Sequence, residues 1–171
     1  PWNPSSISGQ RVSAVQKDGQ GYLWVGTAYG GLNKVDPHSE SIEIFKHDTN
    51  DPESFPAQEI RAMTLDPQGM LWFGTADAGL NRLDPDTGRF VAYRHDENDP
   101  DTLSHDTIHH IRPEPSEKWL WIGTQHGLNK FDPVTGKSVR YFHDERNPGS
   151  LSHDTVRVIH APPDGHLMWI G

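Results

Sequence analysis

A block of about 48 residues recurs along the chain, and this period constrains the fold more than any other feature. The motif Trp-x-Gly places tryptophans 48, 49 and 48 residues apart, at Trp24, Trp72, Trp121 and Trp169. After each of the first three come Gly-Leu-Asn with a basic residue, then Asp-Pro, then His-Asp. A fixed period of about 20 to 50 residues is typical of repeat architectures, in which each unit packs against the next.

Each repeat contains short strand-like runs separated by turn residues. In the first repeat these runs are Val12–Val15, Tyr22–Thr27, Leu32–Val35 and Ile42–Lys46. Asp, Pro and Gly between the runs predict tight turns, because Asp bonds nearby backbone, Pro fixes φ and Gly accepts a positive φ. The tryptophan run is apolar on both sides, so we expect both of its faces to be covered. Four short antiparallel strands in each repeat indicate a β-propeller blade.

The sequence therefore predicts an all-β fold of about 3.5 four-stranded antiparallel propeller blades. The predicted blades span residues of about 3–50, 51–98 and 99–146, with a half blade at 147–171. Propellers close with about four to eight blades, so this ring is incomplete. We expect exposed apolar surface and unpaired edges at both ends, on the tryptophan strands. Two alternatives stay open: a segment of a ring of seven or more blades, or two copies that close on each other as a homodimer.

Composition excludes several classes of function. A net charge of −9 argues against binding nucleic acid or an anionic membrane surface. The chain has no cysteine, which excludes disulfides and thiolate metal sites. No apolar run approaches the roughly 20 residues of a membrane span, and we find no signal peptide. We predict no direct membrane contact in this segment and no cofactor.

Two recurring features suggest chemistry but are better explained by structure. The repeat tryptophans are predicted to be wedges between blades, because an aromatic residue at a fixed repeat position usually belongs to the core. The His-Asp pairs and the Ser-His-Asp-Thr strings at 104–107 and 152–155 are predicted to form hydrogen bonds in turns and in the crossovers, the segments that join one blade to the next. Residues adjacent in sequence cannot converge as a catalytic triad does. We therefore predict no catalytic residues and no metal site.

Positions that differ between repeats are better candidates for binding, because one scaffold is being decorated differently. The loops between the second and third runs carry Tyr29, Asp77 and His126. One position of the innermost strand carries Ser13, Arg61, His109 and Arg157. A ring of blades encloses a central channel, and we expect both sets of residues to lie near the same end of it. The predicted ligand-binding residues are Tyr29 for stacking, Asp77 and His126 for hydroxyl groups, Arg61 and Arg157 for an anionic or polar group, and His109 beside them.

The repeat also resembles a known family. Asp-x-x-Gly-x-Leu-Trp-x-Gly-Thr, followed by Gly-Leu-Asn and Asp-Pro, runs from Asp18 to Pro37 and from Asp66 to Pro85, and more loosely from Glu114 to Pro133. This pattern is similar to the two-component regulator propeller repeat. The resemblance implies the periplasmic sensor region of a bacterial membrane receptor, often for carbohydrates, with no catalytic residues in the repeats.

The prediction is thus a non-catalytic, periplasmic sensor segment that recognises a carbohydrate or another small polar ligand at the channel end. A polysaccharide hydrolase or lyase is one alternative. A hydrolase needs two carboxylates about 5–9.5 Å apart, and Asp77 is the only acid in the variable loops. A protein-interaction scaffold that uses a flat rim is the other alternative.

Overall fold

The protein is represented by a computed structural model that describes residues 6–48, 50, 54–57, 59–114, 118–160 and 167–171. The predicted starts of the first and second blades at residues 3 and 51 lie outside these ranges, as does Asp164-Gly165, where the repeat pattern predicts the fourth copy of the turn before the tryptophan. The described ranges contain strands and turns but no helix, which confirms the all-β prediction. No helix with the length and apolar character to cross a membrane occurs in them.

Three four-stranded antiparallel sheets follow one another along the chain, each paired in sequence order. The first sheet consists of β1 (Arg11–Lys17), β2 (Leu23–Ala28), β3 (Gly31–Val35) and β4 (Ile42–Phe45). The second consists of β5 (Ile60–Leu65), β6 (Leu71–Thr75), β7 (Leu80–Leu83) and β8 (Phe90–Tyr93). The third consists of β9 (Ile108–Pro113), β10 (Leu120–Thr124), β11 (Leu128–Phe131) and β12 (Ser138–Tyr141). A two-stranded sheet follows, formed by β13 (Ile159–His160) and β14 (Trp169–Ile170).

The turn before the tryptophan strand also orients the tryptophan. One carboxylate oxygen of Asp66 accepts the N–H groups of Gln68 and Met70, and the other accepts the indole N–H of Trp72 at 2.8 Å. Asp18 and Trp24 form the same bond at 2.9 Å. A buried indole usually needs a hydrogen-bond partner. The recurring aspartate therefore stabilises the turn and satisfies the buried indole.

The core lies between neighbouring blades. Trp24 and Trp72 are buried against the blade that follows each of them, which confirms the predicted wedges there. A Cβ added at Gly26 or Gly74 would collide with Ile60 or Ile108 of the next blade. The glycine of Trp-x-Gly is thus required by the close approach of two sheets.

The two ends of the array expose apolar side chains, but not in the predicted way. Trp169 is 66% exposed and Trp121 is half-buried. At the other end the exposed residues lie on β1, where Val12 is 45% exposed while its equivalents Ile60 and Ile108 are fully buried. Trp24 is buried because each tryptophan is covered by the following blade. The expectation of an exposed tryptophan strand was therefore wrong for the first blade.

The recurring histidines join the end of one blade to the crossover into the next. The Nδ1–H groups of His95 and His143 donate to the carbonyls of Leu103 and Leu151, both at 2.6 Å. The same histidines donate their backbone N–H groups to Asp106 and Asp154, each at 2.7 Å. These bonds confirm the structural interpretation of the His-Asp and Ser-His-Asp-Thr strings.

Candidate functional site

The variable inner-strand residues all lie at β-bulges. The pairing of β1 with β2 skips Ser13, that of β5 with β6 skips Arg61, and that of β9 with β10 skips His109. In the fourth repeat the N–H groups of Arg157 and Val158 both donate to the carbonyl of Gly171, at 2.7 and 2.8 Å. Two residues opposite one is the defining pattern of a bulge, and bulges re-aim side chains next to functional sites.

Polar side chains from successive blades form a chain of hydrogen bonds at these bulges. Arg61 Nη1 lies 3.4 Å from Nδ1 of His109, and His109 Nε2 lies 3.0 Å from Oε1 of Gln125. A guanidinium can only donate, so Nδ1 accepts and Nε2 carries the proton given to Gln125. The amide nitrogen of Gln125 then donates to Thr155 Oγ1 at 3.3 Å. We call Arg61, His109, Gln125 and Thr155 the bulge relay.

Burial and neighbouring positive charges favour the neutral form of His109. Partial burial is the main cause that lowers the pKa of His109, and the charges of Arg61 and Arg157 lower it further, while the bond to Gln125 opposes the shift. The Glu59 carboxylate pairs with Arg11 at 3.1 Å and with Nε of Arg61 at 3.5 Å. Two arginines thus act on the imidazole of His109, and one of them shares the carboxylate of Glu59 with Arg11.

Backbone bonds fix the variable loops against the start of the next inner strand. The N–H of Ala76 donates to the carbonyl of Glu59, and the N–H of Gln125 donates to that of Thr107. In return, the hydroxyls of Thr107 and Thr155 donate to the carbonyls of Ala76 and Gln125, at 2.7 and 3.2 Å. The loops are therefore held on a rigid scaffold at the same end of the blades as the bulges.

Gln125 is the functional candidate that sequence reasoning missed. Its backbone bond makes it equivalent to Ala76, so a long amide stands where the second blade has a methyl group. The change from alanine in the second blade to glutamine in the third is visible in the sequence. It was obscured because the third loop is one residue shorter, which drew attention to His126 instead.

The structure puts Arg61 in contact with His109 and Arg157 close enough for its charge to act on His109, whereas the three loop residues are placed differently. Tyr29 is 76% exposed with a φ of 64°, an uncommon conformation for a bulky residue. Asp77 is exposed at its loop tip. His126 packs on the ring of Phe142 and lies 3.6 Å from Asp154. Among the described residues, no contact joins Tyr29, Asp77 or His126 to the relay.

A large cavity of the surface lies near this site. It has a volume of about 740 Å³, lies at the edge of β14 and is lined by residues that include Trp121, Tyr141, Phe142 and Trp169; Thr155 of the bulge relay also lines it, but none of the residues predicted from the sequence does. In the described ranges, no group of three or more His, Asp or Glu side chains is placed to hold a metal ion.

Comparison with known proteins agrees with this architecture. Residues 6–29 and 54–77 match the sequence model of the two component regulator propeller. A structure titled "extracellular domain of the putative hybrid two component system" from B. thetaiotaomicron superposes with a TM-score of 0.81 at 27% identity, and covers 96% of this chain and 23% of that one. A second such domain from the same organism has a TM-score of 0.73 at 22% identity, and covers 94% and 20%. No curated protein matches the chain.

The fold and its repeats define the chain as a segment of a β-propeller. Its repeats are similar to those of the two component regulator propeller family. It spans about a quarter or less of the length of the two solved domains.

Proposed function

We propose that this segment is a non-catalytic, ligand-sensing part of a two-component-type sensor, outside the cytoplasmic membrane of a bacterium. The family match and the titles of the two solved domains support the sensor role and an extracellular or periplasmic location. The ligand is a carbohydrate or another small polar molecule bound at the channel end.

The observation that carries the proposal is the bulge relay. Repeat positions that build the fold keep their residue from blade to blade, whereas the bulge and loop positions change. Those changes place a guanidinium, an imidazole, an amide and a hydroxyl in one connected group at one end of the blades. Groups that both donate and accept, held on a rigid frame, suit the hydroxyls of a sugar.

The test is a screen of neutral and acidic oligosaccharides by thermal shift and isothermal titration calorimetry, followed by mass spectrometry of the recovered sugar. We expect saturable binding and an intact sugar. Gln125→Ala, which restores the residue of the second blade, should weaken binding several-fold. Glu97→Ala, at an exposed crossover turn, is the matched control and should leave binding unchanged. Recovery of cleaved products would instead support a polysaccharide hydrolase or lyase.

A further inference from the structure

We propose that the ligand at the channel end carries an anionic group, a carboxylate or a sulfate ester on a sugar, which binds between Arg61 and Arg157 beside His109. This inference rests on the proposed sensor function and specifies the chemistry of its ligand. Three successive bulges present Arg, His and Arg in that order, so two guanidiniums flank one imidazole.

Arg61 and Arg157 differ in how many of their donors are already used. Arg61 gives Nε to Glu59 and one Nη to His109, which leaves its other Nη group for a ligand. The Arg157 side chain is exposed and forms no ion pair or side-chain hydrogen bond with the described residues. Its planar fork is therefore available, and such a fork matches the paired oxygens of a carboxylate or sulfate.

The charges around these arginines also favour an anion. The whole chain carries a net charge of −9, yet Arg11 and Arg61 share the carboxylate of Glu59, and the charges of Arg61 and Arg157 both act on His109. Cations on neighbouring strands repel one another unless a counterion is shared between them. An anion between Arg61 and Arg157 removes that repulsion, which gives the site a preference for charged over neutral sugars.

The far end of the relay suits the neutral, hydroxyl-bearing part of the ligand. Gln125 and Thr155 lie directly beyond His109 and are both exposed enough to meet solvent. An amide and a hydroxyl can each donate to and accept from sugar hydroxyls. The relay thus offers charge recognition at its arginines and hydroxyl recognition at its far end, which fits an acidic sugar better than a free inorganic anion.

The experiment compares an acidic oligosaccharide with its uncharged ester, which share one backbone, and with an acidic and a neutral probe of other backbones. Binding of tetragalacturonate, its fully methyl-esterified form, a heparin tetrasaccharide and neutral xylotetraose to the full chain is measured by calorimetry at pH 7.5. We expect an acidic probe to bind at least about tenfold more tightly than the methyl ester or xylotetraose, with affinity that falls as salt rises. Tighter binding of tetragalacturonate, whose only charges are carboxylates, assigns the carboxylate, and tighter binding of the heparin tetrasaccharide, which carries both groups, favours the sulfate.

Variants assign the effect to the arginines. Arg157→Gln should weaken binding of the preferred acidic probe about tenfold and leave the neutral probes unchanged. Arg146→Gln, which removes the same charge from an exposed crossover turn, should change neither. Circular dichroism confirms that each variant is folded. Equal binding of acidic and neutral probes, or no effect of Arg157→Gln, overturns this inference and leaves the sensor proposal standing. Binding of none of the probes contradicts both.

Discussion

At the residue scale, one buried asparagine shows how a repeat tolerates a local defect. Asn33 and Asn129 are fully buried, and their side-chain oxygens accept the backbone N–H of Ser8 and Ser104 at 2.7 and 2.8 Å. The equivalent Asn81 is also fully buried, but its Oδ1 has no partner among the described residues. The residue in the donor position of that blade is Pro56, which has no N–H group.

Replacement of Pro56 by serine should therefore stabilise the protein. The new N–H and hydroxyl supply the missing donors, and an unsatisfied buried acceptor costs about 1–3 kcal/mol. The loss of proline's restraint on the unfolded chain offsets about 0.4–1 kcal/mol of this gain. We expect the free energy of unfolding, measured in urea, to rise by about 1 kcal/mol. The reverse change, Ser104→Pro, removes a working donor and should lower it by more. If Pro56→Ser destabilises the chain, our explanation of the defect is wrong.

Sequence alone predicts residue roles unevenly. Trp24 and Trp72 could be assigned to the core because a repeated aromatic has to pack in the same way each time. The bulges at Arg61 and His109 were not predicted, because a bulge is defined by how the inner strand pairs with its neighbour, and the residues of one strand do not show that register. Gln125 was missed because its repeat position depends on a loop whose length differs between blades. The ion pair between Arg11 and Glu59 joins neighbouring blades, and the sequence alone does not show which residues of two blades meet.

At the element scale, the hairpins between the third and fourth strands reuse one turn with one exception. Gly88 and Gly136 have φ values of 70° and 74°, and their N–H groups donate to the backbone carbonyls of Asp84 and Asp132. In the first blade Glu40 adopts a φ of 56° in the corresponding turn. A residue with a Cβ pays about 1–2 kcal/mol for this conformation.

Glu40→Gly should stabilise the first blade. Removal of the left-handed strain outweighs the extra freedom that glycine gives the unfolded chain, which costs about 0.5–1 kcal/mol. We expect a net rise of about 0.5 kcal/mol in the free energy of unfolding, measured in urea. Gly88→Ala is the matched reverse change, because the space around Gly88 is open and only φ opposes a side chain. Its expected effect is a loss of about 1 kcal/mol. A destabilised Glu40→Gly variant would contradict this account of the turn.

Histidines on strand β9 and just before it make the stability of the protein depend on pH. Burial lowers the pKa of His105, His109 and His110 below the usual 6.5, with smaller contributions from neighbouring charges. The unfolded chain then binds more protons than the folded chain, so the free energy of unfolding falls as pH drops below about 6.5. The lowered pKa values of Asp36, Asp84 and Asp132 act only at more acidic pH.

Urea unfolding at pH 7.5 and 5.5 checks this sign. We expect lower stability at pH 5.5, and a smaller difference between the two pH values in a His110→Gln variant, because one of the titrating groups is gone. Equal or greater stability of the native sequence at pH 5.5 would show that these histidines are not held neutral in the fold.

At the scale of the whole molecule, the two ends of the blade array present complementary kinds of surface. Val12 and Val15 are exposed on β1 at one end, and Trp169 and Val158 are exposed at the other. Exposed apolar patches and free strand edges tend to associate. We expect light scattering on a sizing column to show a mass that rises with concentration towards twice the 19.2 kDa of the chain. Trp169→Ser should reduce this association, and a monomeric mass at every concentration would contradict it.

The central claim is that ligand binds at the bulge relay. Titration of the isotope-labelled chain with an oligosaccharide that binds in the screen, followed by ¹H–¹⁵N NMR, tests it most directly. The account predicts that the largest shift changes occur at Arg61, His109, Gln125 and Thr155, while the outer crossovers at 96–103 and 144–151 stay unchanged. Changes confined to those crossovers, or to cavity residues outside the relay such as Trp121 and Trp169, would place the ligand elsewhere and contradict binding at the relay.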